Sequence, residues 1–457
     1  MSSLSLKSTK KCIINGENAS IRIRPVQETL KEVIPICKKI GVTRLSDITY
    51  MDKLYIPNFT SILPGTEDSI WVYGGKGLTK AHAKASALME SIERHSSFQS
   101  TYSKGFIQGS YSELSKSYNK VLHPDEVVEP VSHEFNDDSI VDFVEGYDIM
   151  ANEEVLVPVQ LALSRYIAKS PAISPFPYSH TNGLASGNVI EEAIFHGLCE
   201  VIERDAVSIA DLSASFIPYT ILKSIRSSLI EPNDSSVIDI EKKFVDDPSI
   251  FRYVDISEIL KDYRHIKFLV ERFADAGIPV LIKDITQKDI GIPTFAASSI
   301  EWVNMDYGYF ARGYGTSTDA RIALIRAITE VSQTRAVNIQ GARDDLRKIH
   351  YGENDEIYKR KWQFMHSKAK VLKFSEINSY SNEDILDDIK LILEHLRNAG
   401  LKRAITINLT NPKVTVPVVR IIVPGLETFE VARLFAGSEA VMGDRAKKYF
   451  VRQLYGY

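Results

Sequence analysis

The chain has 457 residues, of which 44% are apolar and 25% charged, with a formal net charge of −4 at pH 7. That length buries a large core in two or three domains at most, and so balanced a charge gives no whole-chain argument for binding nucleic acid. Cys12, Cys37 and Cys199 are isolated, without a CxxC pair, a zinc-type His/Cys cluster, an apolar signal segment or a long apolar run, so a cytoplasmic protein that neither spans nor anchors to a membrane is expected.

Residues 1–20 are polar and Lys/Ser-rich, and should be loose at the extreme end. Ile21–Arg24 alternates like a short strand, with Arg22 and Arg24 on a solvated edge. Thr29–Ile40 reads as a helix closed by Gly41, and 42–64 as strands turned at Pro57 and Pro64. Gly74, Gly75 and Gly77 then lead into a Pro- and Gly-free segment rich in helix formers, with Thr79 placed as its N-cap. Glu90 and Glu93 stand at i and i+3 there, so both leave one helix face. Residues 105–160 read as strands and loops, and 174–181 as a Pro- and Tyr-rich loop in which His180 is incidental.

From Gly183 the pattern returns as GLASGNVIEEAIFHGLCEVIERDA, giving Glu200 and Glu203, with Glu192 two turns ahead. His265–Ala276 reads as a helix followed by two strands. A third copy from Gly313, GYGTSTDARIALIRAITEVSQTRA, gives Glu330 and Gln333. Residues 344–380 are the most charged stretch and suggest an excursion carrying surface helices. Ser381–Asn398 is an amphipathic helix with Ile385, Ile389, Ile392 and Leu396 on one stripe, again followed by two strands. The fold class is therefore α+β, with antiparallel sheets flanked by helices and two internal repeats, a turn–helix unit and a helix–hairpin unit. The expected organisation is an N-terminal lobe (1–64), a catalytic domain (65–425) and a C-terminal helical tail (426–457).

Aligned on the first acid of each pair, the three turn–helix copies share Ala83, Ala193 and Ala323 seven residues upstream, and Ser86, His196 and Arg326 one turn before the acid. They lie too far apart for a solenoid. Like charges at i and i+3 repel unless cations lie beside them. Ala, Leu and Ile crowd the other faces, so the pairs should point into one interior cleft. Carboxylates in that number suit Mg2+, which binds one or two of them together with waters and substrate phosphates. There is no P-loop, since Gly74-Gly75-Lys76-Gly77 misses its spacing, and no dinucleotide or kinase signature. A nucleotide would be held by its metals, by Arg204 and Arg326, and by amides of the Gly-rich turns.

At these residues the chain resembles the YcaO superfamily. Its Ser-x3-Glu-x-x-Glu-Arg run stands as Ser86, Glu90, Glu93 and Arg94, and its Asn-Gly-x-Ala-x-Gly-Asn turn as Asn182 to Asn188. Its Cys-Glu-x-x-Glu-Arg-Asp run is Cys199, Glu200, Glu203, Arg204 and Asp205, and its Arg-x3-Glu-x-x-Gln element is Arg326, Glu330 and Gln333. The resemblance implies a YcaO-type fold whose ATP and Mg2+ phosphorylate a peptide backbone amide oxygen. It implies Glu90, Glu93, Glu200, Glu203 and Glu330 as metal ligands. Asn188, Glu192, Arg204, Arg326 and Gln333 become nucleotide residues, with Lys76 and Ser186 in second rank; Arg22 and Thr29 match the family's N-terminal contacts only poorly. It assigns no acid–base residue. The end FVRQLYGY lacks the Pro-x-Pro-x-Pro tail of azoline-forming members, and Pro424–Glu427 resembles the branch paired with TfuA-type proteins, including those of methanogens. The resemblance to that branch implies a thioamide product, such as thioglycine in methyl-coenzyme M reductase. Its partners would be a TfuA-like protein, a peptide or protein substrate, sulfide or another sulfur donor, and a second copy in a homodimer. Azoline or amidine formation, or an accessory ATP-binding role, are the alternatives.

Overall fold

Each turn–helix repeat is a strand–turn–helix unit, and the three strands belong to three different sheets. The computed structural model describes residues 5–12, 20–66, 69–118, 120–168, 174–217, 220, 251–301, 310–341, 353–368, 371–430 and 441–455. After helix α1 (Val26–Lys39), strands β1 (Arg44–Asp47), β2 (Asn58–Thr66) and β3 (Ser69–Lys76) pair antiparallel in that order. β2 runs through residue 64, where the sequence drew its first boundary.

The second sheet contains β4 (Ile107–Gly109), β5 (Val141–Asp148), β6 (Glu153–Pro158), β7 (Leu184–Ser186), β13 (Ile405–Asn408) and β14 (Val418–Ile422), in the order β4-β5-β13-β14-β7 with β6 on β5. The third contains β8 (Arg252–Asp255), β9 (Leu281–Asp284), β10 (Thr294–Ile300), β11 (Phe310–Thr316) and β12 (Val371–Lys373), in the order β11-β10-β9-β8-β12. Its pairings are antiparallel except for β12 on β8. Thus β3, β7 and β11 each end their sheet's strand order.

Each of these strands turns into a long helix: β3 into α2 (Lys80–Ser96), β7 into α5 (Ile190–Asp211) and β11 into α7 (Ala320–Gln340). Short helices α3 (Tyr111–Ser117) and α4 (Val159–Ala162) lie between the first two. The Thr79 side chain caps α2 by accepting the His82 N–H, as expected, and Asp319 caps α7 in the same way. The shared alanines follow from backbone packing. A Cβ on Gly75 would stand 2.2 Å from the Ala83 carbonyl, and one on Gly315 2.0 Å from the Ala323 carbonyl. Ala83, Ala193 and Ala323 are all fully buried, because a larger side chain would push the helix off its strand.

The remaining helices are α6 (Arg264–Asp275), α8 (Glu353–His366), α9 (Ile385–Asn398) and α10 (Asp444–Tyr455). The α6–β9–β10 and α9–β13–β14 units bear out the expected helix–hairpin duplication, one in each large sheet. In α9, Ile385, Ile389, Ile392 and Leu396 bury their stripe with Ala193, Leu198 and Ile202 of α5, at roughly 1.5–3 kcal/mol per side chain. No helix among the described residues is long and apolar enough to cross a membrane.

Several local expectations are corrected. Ile21–Arg24 forms no strand, because the Ile23 N–H donates to the Glu192 carboxylate at 2.6 Å instead of to a neighbouring strand. Residues near the N-terminus are docked: the Lys11 N–H donates to the Glu383 carbonyl and its ammonium pairs with buried Asp388. Within the charged stretch, α8 is no surface helix; Arg360 is fully buried and Lys361 pairs with Asp211 at 2.5 Å. Residues 344–352 of that stretch lie outside the described residues.

Candidate active site

The turns after β3 and β7 and the facing sides of α2, α5 and α7 enclose a cleft of about 610 Å3. Glu90 and Glu93 line it from α2, Glu200, Glu203 and Arg204 from α5, and Arg326, Glu330 and Gln333 from α7. Lys76, at the end of β3, and Ser186 and Asn188, around the turn after β7, complete the expected set.

Glu192 is the exception. It is fully buried behind the wall and accepts hydrogen bonds from the Asn188 N–H at 2.8 Å and the Asn188 Nδ2 at 2.9 Å, besides that from Ile23. From the first turn of α5, its carboxylate holds the Asn188 amide of the preceding turn and the Ile23 amide of the N-terminal segment, so it shapes the turn. Asn188 is equally committed, since its Oδ1 accepts from Arg24 Nε at 2.9 Å and Thr29 Oγ1 at 2.8 Å. Arg24, expected on a solvated edge, is therefore a turn-fixing residue that also forks onto Glu32.

Five carboxylates and seven Lys or Arg side chains line the cleft, and burial dominates the electrostatics of its acids. Burial drives the Glu93 carboxyl well above its ordinary range; Arg94 opposes the shift, while Glu200 and Glu90 add to it. Burial likewise pushes Glu203 up to about 7 against the pull of Arg326, with Glu330 adding repulsion. Burial acts on Glu330 too, but the Lys76 ammonium in direct contact, together with Arg204 and Arg326, outweighs it and holds that carboxyl below the usual range. Arg94 donates to Glu90 at 3.2 Å, and Ser186 Oγ to Glu93 at 3.4 Å.

Buried polar atoms remain without hydrogen-bond partners: Glu203 Oε2, Arg94 Nη1, Arg204 Nε, Arg326 Nε and His196 Nε2. An orphaned carboxylate oxygen and orphaned guanidinium N–H groups in one cleft fit a ligand that brings both cations and oxyanions. Among the described residues no three His, Cys, Asp or Glu side chains are grouped so as to hold a metal ion.

Arg22 and Thr29, poorly matched to the family's N-terminal contacts, line the cleft, and so do His82, His196 and, from α6, Phe268, which sequence reasoning gave no site role. His196 was legible, because the position one turn before each acid (Ser86, His196, Arg326) faces the cleft in all three repeats. Burial, helped by Arg22 and Arg326, keeps its imidazole neutral. His180 does not line the cleft; it lies 2.9 Å from Glu129 Oε1 and accepts from Arg420 at 3.0 Å on Nδ1, a buried structural contact.

A cleft of this kind on an α+β scaffold, with paired acids and guanidiniums but no P-loop, defines a metal- and phosphate-handling protein. The sequence model described as YcaO cyclodehydratase, ATP- and Mg2+-binding, matches residues 74–427, and the chain belongs to the YcaO family. Members of that family bind ATP and Mg2+. An uncharacterized protein of Methanothermobacter thermautotrophicus is 35% identical over 416 residues, 90% of this chain and 95% of the relative. A protein described as lying in the tfuA 3′ region of Rhizobium leguminosarum bv. trifolii is 27% identical over 414 residues, 89% and 88% of the two chains.

Among solved structures, a heterocyclase in complex with substrate and cofactor superposes with a TM-score of 0.70 at 20% identity, over 94% of this chain. The match spans 55% of the heterocyclase chain. YcaO from Methanopyrus kandleri, bound with AMPPCP and Mg2+, superposes with a TM-score of 0.64 at 19% identity, over 93% of this chain and 96% of that one. At these identities the likeness establishes the shared fold, and the expected YcaO-type α+β fold is borne out.

Proposed function

We propose that this protein uses ATP and Mg2+ to phosphorylate the oxygen of a peptide backbone amide, and that sulfide then replaces this oxygen to give a thioamide. One observation carries the reading: buried, mutually repelling acids from three helices stand beside guanidiniums with unused N–H groups. The amide oxygen attacks the γ-phosphorus and the bond to the β-phosphate oxygen breaks, releasing ADP. Sulfide adds to the activated carbon, the carbon–oxygen bond breaks, and the oxygen leaves with inorganic phosphate while a proton returns to solvent. Mg2+ bound by Glu90, Glu93, Glu200, Glu203 and Glu330 would neutralise the phosphate oxygens. Arg204 and Arg326 orient those oxygens, Gln333 contributes a neutral contact, and the Asn188 turn holds its wall of the cleft in place. Phosphoryl transfer depends on such positioning and charge neutralisation more than on acid–base groups, which accords with a site that has no assigned base.

The relative described by its tfuA neighbourhood supports a TfuA-like partner and, through it, the thioamide outcome. The family description as a cyclodehydratase favours a second reading, ring closure to an azoline. Mass spectrometry separates them with a Gly-containing peptide, ATP, Mg2+, sulfide and the TfuA-like protein: thioamidation raises the mass by about 16 Da, and ring closure lowers it by about 18 Da. Oxygen-18 in the peptide carbonyl should emerge in inorganic phosphate. Label retained in an unmodified peptide during ATP hydrolysis would overturn both readings in favour of an accessory ATPase.

A further inference from the structure

Arg204 is a cation of the second repeat whose partner comes from outside the three repeats. Its Nη1 donates to Glu430 Oε2 at 2.9 Å, and Glu430 arrives from the segment that follows β14. Around the same guanidinium lie Glu200 and Glu203 of α5 and Glu330 of α7, yet among the described residues only Glu430 is within ion-pair distance. Arg204 Nε, buried, has no hydrogen-bond partner.

The backbone that delivers Glu430 is fixed onto α5. The Glu430 N–H donates to Ser208 Oγ at 3.0 Å, and the Glu427 N–H to Asp205 Oδ1 at 2.9 Å. The Glu427 carboxylate accepts the Gly443 and Ala446 N–H groups at 2.9 and 2.8 Å, and Arg445 forks onto Asp205 at 2.9 and 3.0 Å. Little ordering entropy remains to be lost when the Glu430 side chain engages Arg204.

We infer that Glu430 occupies the oxyanion position of Arg204 while no nucleotide is bound, and that a nucleotide phosphate must displace it. The inference rests on the ATP reading above and adds a residue that the family motifs do not include. A phosphate drawn to the unused Nε and the rest of this guanidinium brings a second anion against the Glu430 carboxylate on Nη1, competing with it for the N–H groups and repelling it. The Arg204 side chain is 31% exposed and that of Glu430 14%, so solvent weakens the pair and makes it exchangeable. Glu430 thus sets the affinity for nucleotide, and only its side chain need move, because the Ser208 and Asp205 contacts hold the backbone.

Calorimetry with AMPPCP and with inorganic triphosphate, both at saturating Mg2+, tests this. Glu430→Gln should tighten both probes by roughly two- to fivefold, the span of a partly exposed ion pair. Glu430→Asp, shorter but still charged, should fall between Gln and wild type. Arg204→Met should weaken both probes, and adding Glu430→Gln to it should bring no gain. A Glu430→Gln variant that folds by circular dichroism but binds unchanged or more weakly would overturn the inference, making Glu430 a support for Arg204; should it not fold, tightening in Glu430→Asp decides. Wild-type protein that binds neither probe would instead remove the ATP reading itself, and the inference with it.

Discussion

The Lys76 ammonium rests on the Glu330 carboxylate, joining the end of β3 to the middle of α7 across the cleft. In the nucleotide-free protein this contact neutralises one of the proposed metal ligands with a side chain. Lys76→Met should therefore free Glu330, so that Mn2+, as a probe for Mg2+, binds the nucleotide-free protein more tightly. ATP turnover should fall roughly tenfold or more, since Lys76 would no longer stabilise phosphate charge. A metal titration followed by electron paramagnetic resonance reads the first effect, and weaker Mn2+ binding would mean that Lys76 orients Glu330 without competing for it.

Glu203 links the same cleft to pH. Its folded-state pKa of about 7 lies above the ordinary carboxylate value near ~4.3, so between these values the folded protein binds more protons than the unfolded chain. Stability must then fall as pH rises through that window. Metal-free Glu203→Gln, which lacks the penalty, should match wild type at pH 4 and melt a few degrees higher at pH 8. Equal melting temperatures at pH 8 would show that the charge is relieved elsewhere. Glu203→Ala should also weaken Mg2+-dependent ATP binding severely.

Gln333 faces β3 so closely that a Cβ on Gly74 would stand 2.5 Å from its Nε2. Gln333→Glu adds a charge where burial, and repulsion after it, already raises Glu93 and Glu203, and should slow ATP turnover with the fold intact by circular dichroism. Gly74→Ala should slow it as well, by displacing the Gln333 amide. Full activity in both would make the position peripheral.

Arg445 is the main partner of Asp205, which is fully buried and directly follows Arg204. Arg445→Ala strands that carboxylate and should cost about 3–5 kcal/mol of stability, read by urea unfolding. Arg445→Lys, which keeps the charge but loses the fork, should recover only part of it.

Local geometry decides what could be read from the sequence. The acidic pairs and the alanines seven residues before them were visible because one strand–helix packing fixes them three times over, as Gly75 against Ala83 and Gly315 against Ala323 illustrate. The helix–hairpin duplication was visible through the α9 stripe. Glu192 shares a helix face with Glu200 in the sequence, and in this structure its carboxylate is taken up by the Asn188 and Ile23 amides. A Ser-x-x-Glu signal, Ser110 to Glu113, did mark α3, where only strands and loops were expected. Nothing local could place Ile23 on Glu192 or Glu430 on Arg204, since each joins segments far apart in the chain.

That β3, β7 and β11 terminate three separate sheets bears on how the molecule assembles. Residues from all three must meet before the cleft exists, so its formation requires closing long loops and belongs to the late, slow part of folding. The site is then also a sensor of global integrity: opening of any one sheet dissolves it. A ligand that bridges α2, α5 and α7 should in turn slow amide hydrogen exchange in all three sheets together, including β12, which lies at the opposite end of its sheet from the β11 edge.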